Sequence, residues 1–187
     1  VYTFQLGEEG LPTSEGSGDL LYSVAAFDGE NFRVPVGIKM EGEEPDEAYL
    51  QSSAIISRLV DQGFTLYTFG TESVLEQLSK LGMRSLRAKL SSLADEGVVR
   101  DLEILAAKHL GEDVTLSDIA SALTVDGEGA TTSIDVLLKI LRVSTSSRGW
   151  RERVLQKAGK ELEDLARREL RALYLLSLIL DPVQSAG

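Results

Sequence analysis

Glu169 is the residue whose setting most asks for chemistry. It lies seven residues after Leu162, on a stripe that also carries Leu165, Ala166, Leu173, Leu176 and Leu180 at helical spacing. A carboxylate facing a core must be paired, neutralised or bound to a metal. Arg167, Arg168 and Arg171 are close in sequence, and an ion pair with one of them at the core edge is the expected outcome; a metal is the alternative. A second place for chemistry is the end of the first apolar run, Gln5-Leu6-Gly7-Glu8-Glu9-Gly10-Leu11. A strand end is a common position for a metal-binding pair two residues apart. In a chain rich in carboxylates, that spacing here carries Gln5 and Gly7.

Other chemistries are poorly supplied. The chain has no cysteine, so disulfides and thiolate metal sites are excluded, and a reducing compartment is expected. His109 is the one histidine, which removes histidine-cluster metal sites and leaves little for a catalytic triad. It sits near the end of the helical pattern "LAAKHLGE", where a cation suits the negative end of the helix dipole. "GFTLYTFGTESV" lacks the glycines and lysine of a phosphate loop. "DGEGATTSID" lacks the alternating oxygen ligands and closing Glu of a calcium loop. "TLSDIASALTV" followed by "SIDVLLKILRV" is a weak helix-turn-helix: the acidic connection is long, and the second helix has few groups to read bases. A basic cluster of Arg142, Arg148, Arg151, Arg153 and Lys157 flanks Trp150. It could meet a phosphate backbone or an acidic partner, but the expectation is a solvated helix start.

The 187 residues suit one domain with a substantial core, and 43% hydrophobic with 26% charged residues describes a soluble globular chain. The net charge of −11 opposes nucleic-acid binding, which needs cations to displace phosphate counterions. No stretch has the length of a membrane span, and no membrane partner is expected. The opening "VYTFQLGEEG" lacks the basic flank and apolar run of a secretory signal, so a cytoplasmic location is expected. Its start at valine suits a fragment or a processed chain.

The elements that must position these residues fall into two halves. "VYTFQL", "LLYSVAAF" and "FRVPVGIKM" read as strands of an antiparallel meander, with Asp28-Gly29 as a hairpin turn and Pro35 marking an edge strand. "EEPDEAYLQSSAIISRLVDQG" reads as a helix with an acidic start. "FTLYTFG" follows as a fourth strand, expected to run parallel to the first after the crossover. "TESVLEQLSKLG" is expected to be capped by Thr71 and closed by Gly82. The rest reads as helical: "SLRAKLSSLADEG", "VVRDLEILAAKHLG", "TLSDIASALTV", "TSIDVLLKILRV" and "WRERVLQKAGKELEDLARRELRALYLLSLIL", ended by Asp181-Pro182. From Leu173 onward the last helix is apolar almost all round and is expected to be deeply buried. Strands first and helices after predict a mixed sheet flanked by helices.

This order resembles the DEDD-type 3′–5′ exonuclease family, of ribonuclease-H-like fold, and within it the branch of the family-B polymerase proofreading domains. The likeness spans nearly the whole chain. The family's opening Asp-x-Glu-Thr-x-Gly-Leu corresponds to Gln5 through Leu11, and its Tyr-Asn-x-x-x-Phe-Asp to Tyr67 through Ser73. An Asp-Leu-x-x-Leu helix corresponds to Asp101 through Leu105, and a Ser/Thr-Leu-x-x-Ile/Val-Ala helix to Thr115 through Ala120. The final Tyr-x-x-x-Asp corresponds to Leu165 through Glu169, followed by the apolar "LRALYLL".

The resemblance implies four carboxylates holding two hard cations, magnesium or manganese, one activating water and the other stabilising the leaving oxygen. This chain departs from that set at Gln5, Gly7 and Ser73, and only Glu169 keeps a carboxylate. The expectation is therefore one domain over residues 1–187 that keeps the fold, has lost catalysis, binds no cofactor, and serves as a structural or protein-interaction module. Its implied partner, a polymerase or another DNA replication or repair factor, rests on analogy of fold. Two alternatives stand beside it. One is an active exonuclease using magnesium or manganese on the shifted ligands Glu8 or Glu9, Glu72 and Glu169. The other is a non-cleaving nucleic-acid binder acting through Arg148, Trp150, Arg151 and Arg153.

Overall fold

The computed structural model describes residues 1–6, 19–40, 46–111, 114–123, 137–141 and 149–181. Strands β1 (Tyr2–Leu6), β2 (Leu20–Phe27), β3 (Phe32–Arg33) and β4 (Val36–Lys39) form an antiparallel sheet. β2 is its centre, with Tyr2 opposite Ala25 on one side and Leu20 opposite Lys39 on the other. The expected third strand is two strands, because Val34-Pro35 interrupts the ladder between β3 and β4. Pro35 has no amide hydrogen to donate, and it stands on the sheet edge where that costs least. At the β2–β3 turn, Asp28 Oδ1 accepts from the amides of Glu30 (3.0 Å) and Asn31 (2.7 Å), and Gly29 takes a φ of 99°.

Helix α1 (Glu47–Asp61) starts at Asp46, whose carboxylate accepts from the Tyr49 amide at 2.8 Å. β5 (Leu66–Thr68) follows, then α2 (Thr71–Lys80), α3 (Arg84–Asp95) and β6 (Val99–Asp101). β5 and β6 pair in parallel, Leu66 opposite Val99 and Thr68 opposite Asp101. This corrects two expectations. The partner of β5 in its ladder is β6, while its tie to the first strand is the Val1 nitrogen donating to the Tyr67 carbonyl at 2.8 Å. And "VVRD" opens as a strand instead of a helix. The β-branched Val98 and Val99 lie beside β5, and Asp101 then caps the next helix, so the second half is not purely helical.

α4 (Leu102–Leu110), α5 (Leu116–Leu123), a helical stretch over 137–141 and α6 (Trp150–Leu180) follow. Strand alternation sends side chains to two cores. Phe4, Leu6, Leu21 and Ala25 pack with α5, 137–141 and α6. Tyr22, Val24 and Ala26 pack with α1, α2 and α3. The sheet thus lies between two helical layers. Among the described residues, no helix is long and apolar enough to cross a membrane.

α6 buries Val154, Ala158, Leu162, Leu165, Ala166, Leu170, Leu173 and Leu176 along one face. Its end is tied back to the parallel strands through Asp181, which accepts from the Tyr67 hydroxyl at 3.0 Å and pairs with Arg100. The expectation of full burial beyond Leu173 is overturned: Tyr174, Leu175, Leu178 and Ile179 are exposed, Ile179 by 66%. A helix at the edge of a layer has neighbours on one side only, whatever its composition.

Candidate functional site

The residues with chemical potential meet in a cleft of about 160 Å³. β1 supplies Tyr2 and Thr3, with Val1 just before it; Phe69 comes just after β5, and α2 supplies Ser73, Val74 and Gln77. Leu116 of α5 and Glu169 of α6 close it. Ser73 and Gln77 share a face because four residues make about one helical turn. α2 is aimed by its own start. Gly70 is its N-cap, with a φ of 73°, so the expected Thr71 cap is corrected. The amides of Gly70 (3.0 Å) and Thr71 (2.6 Å) instead donate to the Asp101 carboxylate, which also accepts from Glu103 at 2.9 Å to cap α4. The Thr71 hydroxyl lies 2.6 Å from that of buried Thr68.

Glu169 is 8% exposed. Burial raises its pKa above the ordinary glutamate value; the hydroxyls of Tyr2 and Ser117 and the positive charge of Arg168 act in the opposite sense. Tyr2 is pushed well up, first by burial and then by the charge of Glu169, to which its hydroxyl donates. The hydrogen-bond partners of Glu169 are thus neutral hydroxyls. Arg167 bonds to Glu163 at 2.6 Å and stands over the Phe32 ring, where Arg171 stands too. The ion-pair expectation survives only as the influence of Arg168.

The site residues read from sequence divide. Ser73 and Glu169, 96 positions apart, line one cleft. Gln5 does not line it: its side chain is partly buried, and its Oε1 has no hydrogen-bond partner. Gly7, Glu8 and Glu9 lie outside the described residues. Glu72 is exposed, one place before Ser73, and is not part of the lining. On the basic side, Arg142 and Arg148 lie outside the described residues, Arg153 and Lys157 are exposed, and Arg151 is partly buried. Trp150 is partly buried and packs against the core.

Sequence reading missed Tyr2, Thr3, Ser117 and Gln77. The signal for Tyr2 was present: a tyrosine facing inward on a strand needs a partner for its hydroxyl. Gln77 Oε1 is also buried without a hydrogen-bond partner.

Two hard divalent cations need several ionised oxygens. Among the described residues, the cleft has one carboxylate, whose burial favours its protonated form, beside hydroxyl, amide and apolar groups. The described residues of the cleft supply fewer ionised oxygens than two such cations take; Gly7, Glu8 and Glu9 lie outside them. Among the described residues, no group of three or more acidic or histidine side chains is arranged to hold an ion. In comparison with known proteins, no family model, no curated protein and no solved structure matches the chain.

Proposed function

We propose that this chain is a catalytically degenerate 3′–5′ exonuclease-like domain of ribonuclease-H-like fold, working as a structural or protein-interaction module. The reading rests first on one observation: Ser73 and Glu169, matched to the family's second and last motifs, line the same cleft beside β1. The antiparallel meander at the start of the chain is also what that fold would open with, while β5 pairs with β6 in a ladder of its own. Loss of catalysis is supported by the donor set. A single carboxyl whose burial raises its pKa offers little charge to draw divalent ions. A polymerase or another replication or repair factor as partner follows from the fold analogy alone.

The test is a manganese and magnesium titration read by thermal melting, together with digestion of single-stranded DNA. No shift of the midpoint at millimolar metal and no digestion are expected, since a ligand of the native state would raise the midpoint. Metal-dependent digestion abolished by Glu169→Ala would overturn the reading and restore the shifted-ligand exonuclease.

A further inference from the structure

The cleft that holds Glu169 is rich in acceptors and short of cations. Among the described residues its lining has no Lys, Arg or His, and Glu169 is its one acidic side chain. The Val1 amino group donates to the Tyr67 carbonyl at 2.8 Å, and burial lowers its pKa to about 5, so it brings no charge at neutral pH. The positive charge of Arg168 reaches Glu169 from outside the lining. Gln77 adds a second acceptor, because its Oε1 is buried without a hydrogen-bond partner. The other walls are largely carbon, from Val1, Phe69, Val74 and Leu116. Ser73 lines the cleft and is exposed, so the cleft opens to water there.

These groups narrow the ligand by elimination. An anion would meet a carboxyl and an unanswered carbonyl oxygen, with no cation in the described lining. A wholly apolar molecule would seal Gln77 Oε1 away from any donor, which costs free energy in a desolvated place. A divalent metal takes more ionised oxygens than these residues supply. A primary ammonium carries three N–H donors, a positive charge and no acceptor, and its alkyl stem suits carbon walls. Pairing a buried carboxylate with a cation gains only when the remaining donors are met as well, and Gln77 Oε1 is an acceptor placed for that. The net charge of −11 favours the approach of a cation.

The volume sets the size. The cleft holds about 160 Å³, and an apolar cavity of about 150 Å³ takes benzene, so a short alkylamine or the tip of a lysine side chain fits. We infer that the cleft binds a primary ammonium on a short alkyl stem, its charge at Glu169 and an N–H on Gln77 Oε1. An amine that enters neutral takes the carboxyl's proton, and one that enters charged sends that proton to water; the bound pair is the same. The inference deepens the interaction role given above, and rests on it only in that no metal fills the cleft.

The probe is butylamine, titrated into the whole chain with a chelator present and followed by amide chemical shifts. Butanol and butyrate are the controls of matching size. A saturable shift of the Thr3, Ser73 and Gln77 amides is expected with butylamine, about tenfold tighter or more than with either control, as for a hydrogen bond to a charged group. Glu169→Gln keeps the shape and removes the charge, and should weaken butylamine about tenfold or more. Gln77→Met, at a half-buried position, should weaken it about threefold. Both variants are checked for cooperative melting. The proposal is overturned if no amide of the cleft moves, if butanol or butyrate binds as tightly as butylamine, or if butylamine binding is unchanged in Glu169→Gln. Acetyl-lysine amide against its norleucine counterpart separates the sources. Preference for the lysine compound beside butylamine binding assigns the ammonium to a protein side chain, and butylamine binding alone assigns it to a free amine; both uphold the site. Metal-dependent digestion of single-stranded DNA would sink the degenerate-enzyme reading in its own assay, while the titration in chelator still reads the amine, so the two failures are distinguishable.

Discussion

The Asp101 carboxylate accepts a hydrogen bond from the Gly70 amide at 3.0 Å, across 31 residues of sequence. With the Thr71 and Glu103 amides on the same carboxylate, one side chain closes the starts of α2 and α4. It thereby sets the direction in which α2 carries Ser73 and Gln77 toward the cleft. A negative group at two helix N-termini also complements both dipoles.

Asp101→Ala should therefore cost more than a single lost cap. Three amides lose their acceptor, and the expected loss is about 2–3 kcal/mol by urea unfolding. Asp101→Asn keeps one acceptor oxygen and should cost about 1 kcal/mol. Equal, small losses for the two variants would show that water replaces the carboxylate without penalty.

Tyr22 and Asp46 form a second lock. The buried Tyr22 hydroxyl on β2 donates to the carboxylate that caps α1. Tyr22→Phe should destabilise by about 1–2 kcal/mol. Gly37 lies directly over this pair: an added Cβ would come within 2.8 Å of Ala48 Cβ and 2.9 Å of the Tyr22 hydroxyl. Gly37→Ala should cost about 1–3 kcal/mol through overpacking, measured in the same unfolding series.

Glu169 gives a pH signature. Burial raises its folded-state pKa above the ordinary glutamate value. Between the two values the folded chain holds a proton that the unfolded chain has released. The stability from this group is full below the ordinary value and is lost as pH rises through the raised one. Glu169→Gln keeps an acceptor for Tyr2 and Ser117 but removes the titration. Its melting midpoint should exceed that of the parent chain at neutral pH, and the gap should close in acid. A gap that does not depend on pH would contradict the buried carboxyl.

Asp181 should show the opposite sign. The hydrogen bond from Arg100 holds its carboxyl below the ordinary aspartate value; burial opposes it, and the Tyr67 hydrogen bond and the Arg100 charge add to it. Its contribution is present above the ordinary value and is lost as pH falls through the lowered one. Asp181→Ala should cost at most about 1 kcal/mol globally. Amide exchange in the last turn of α6 should quicken, as the tie between that helix and β5–β6 is removed.

Local patterns carried most of the element plan. The apolar runs of β1 and β2, the turn at Asp28-Gly29, the edge position at Pro35 and the helical stripe from Leu162 to Leu176 all follow from local composition and short-range spacing. The misread stretch, Val99–Asp101, is three residues long, and no periodicity separates so short a strand from the start of a helix. The cap of α2 was misassigned for a related reason: its acceptor comes from a strand 30 residues away, and the nearer Thr71 hydroxyl meets Thr68 instead.

The sequence by itself determined the apolar runs that make a sheet, the stripes that make helices, and the poverty of carboxylates at the matched motif positions. These depend on residue types and on spacings of two to four residues. Only the tertiary structure decided that Ser73 and Glu169 share a cleft, that Tyr2 and Ser117 hold the Glu169 carboxyl, and that the apolar end of α6 faces outward. The reason is that these are encounters between distant segments. Whether an apolar side chain is covered, or a polar one is answered, depends on which segments the chain brings beside it.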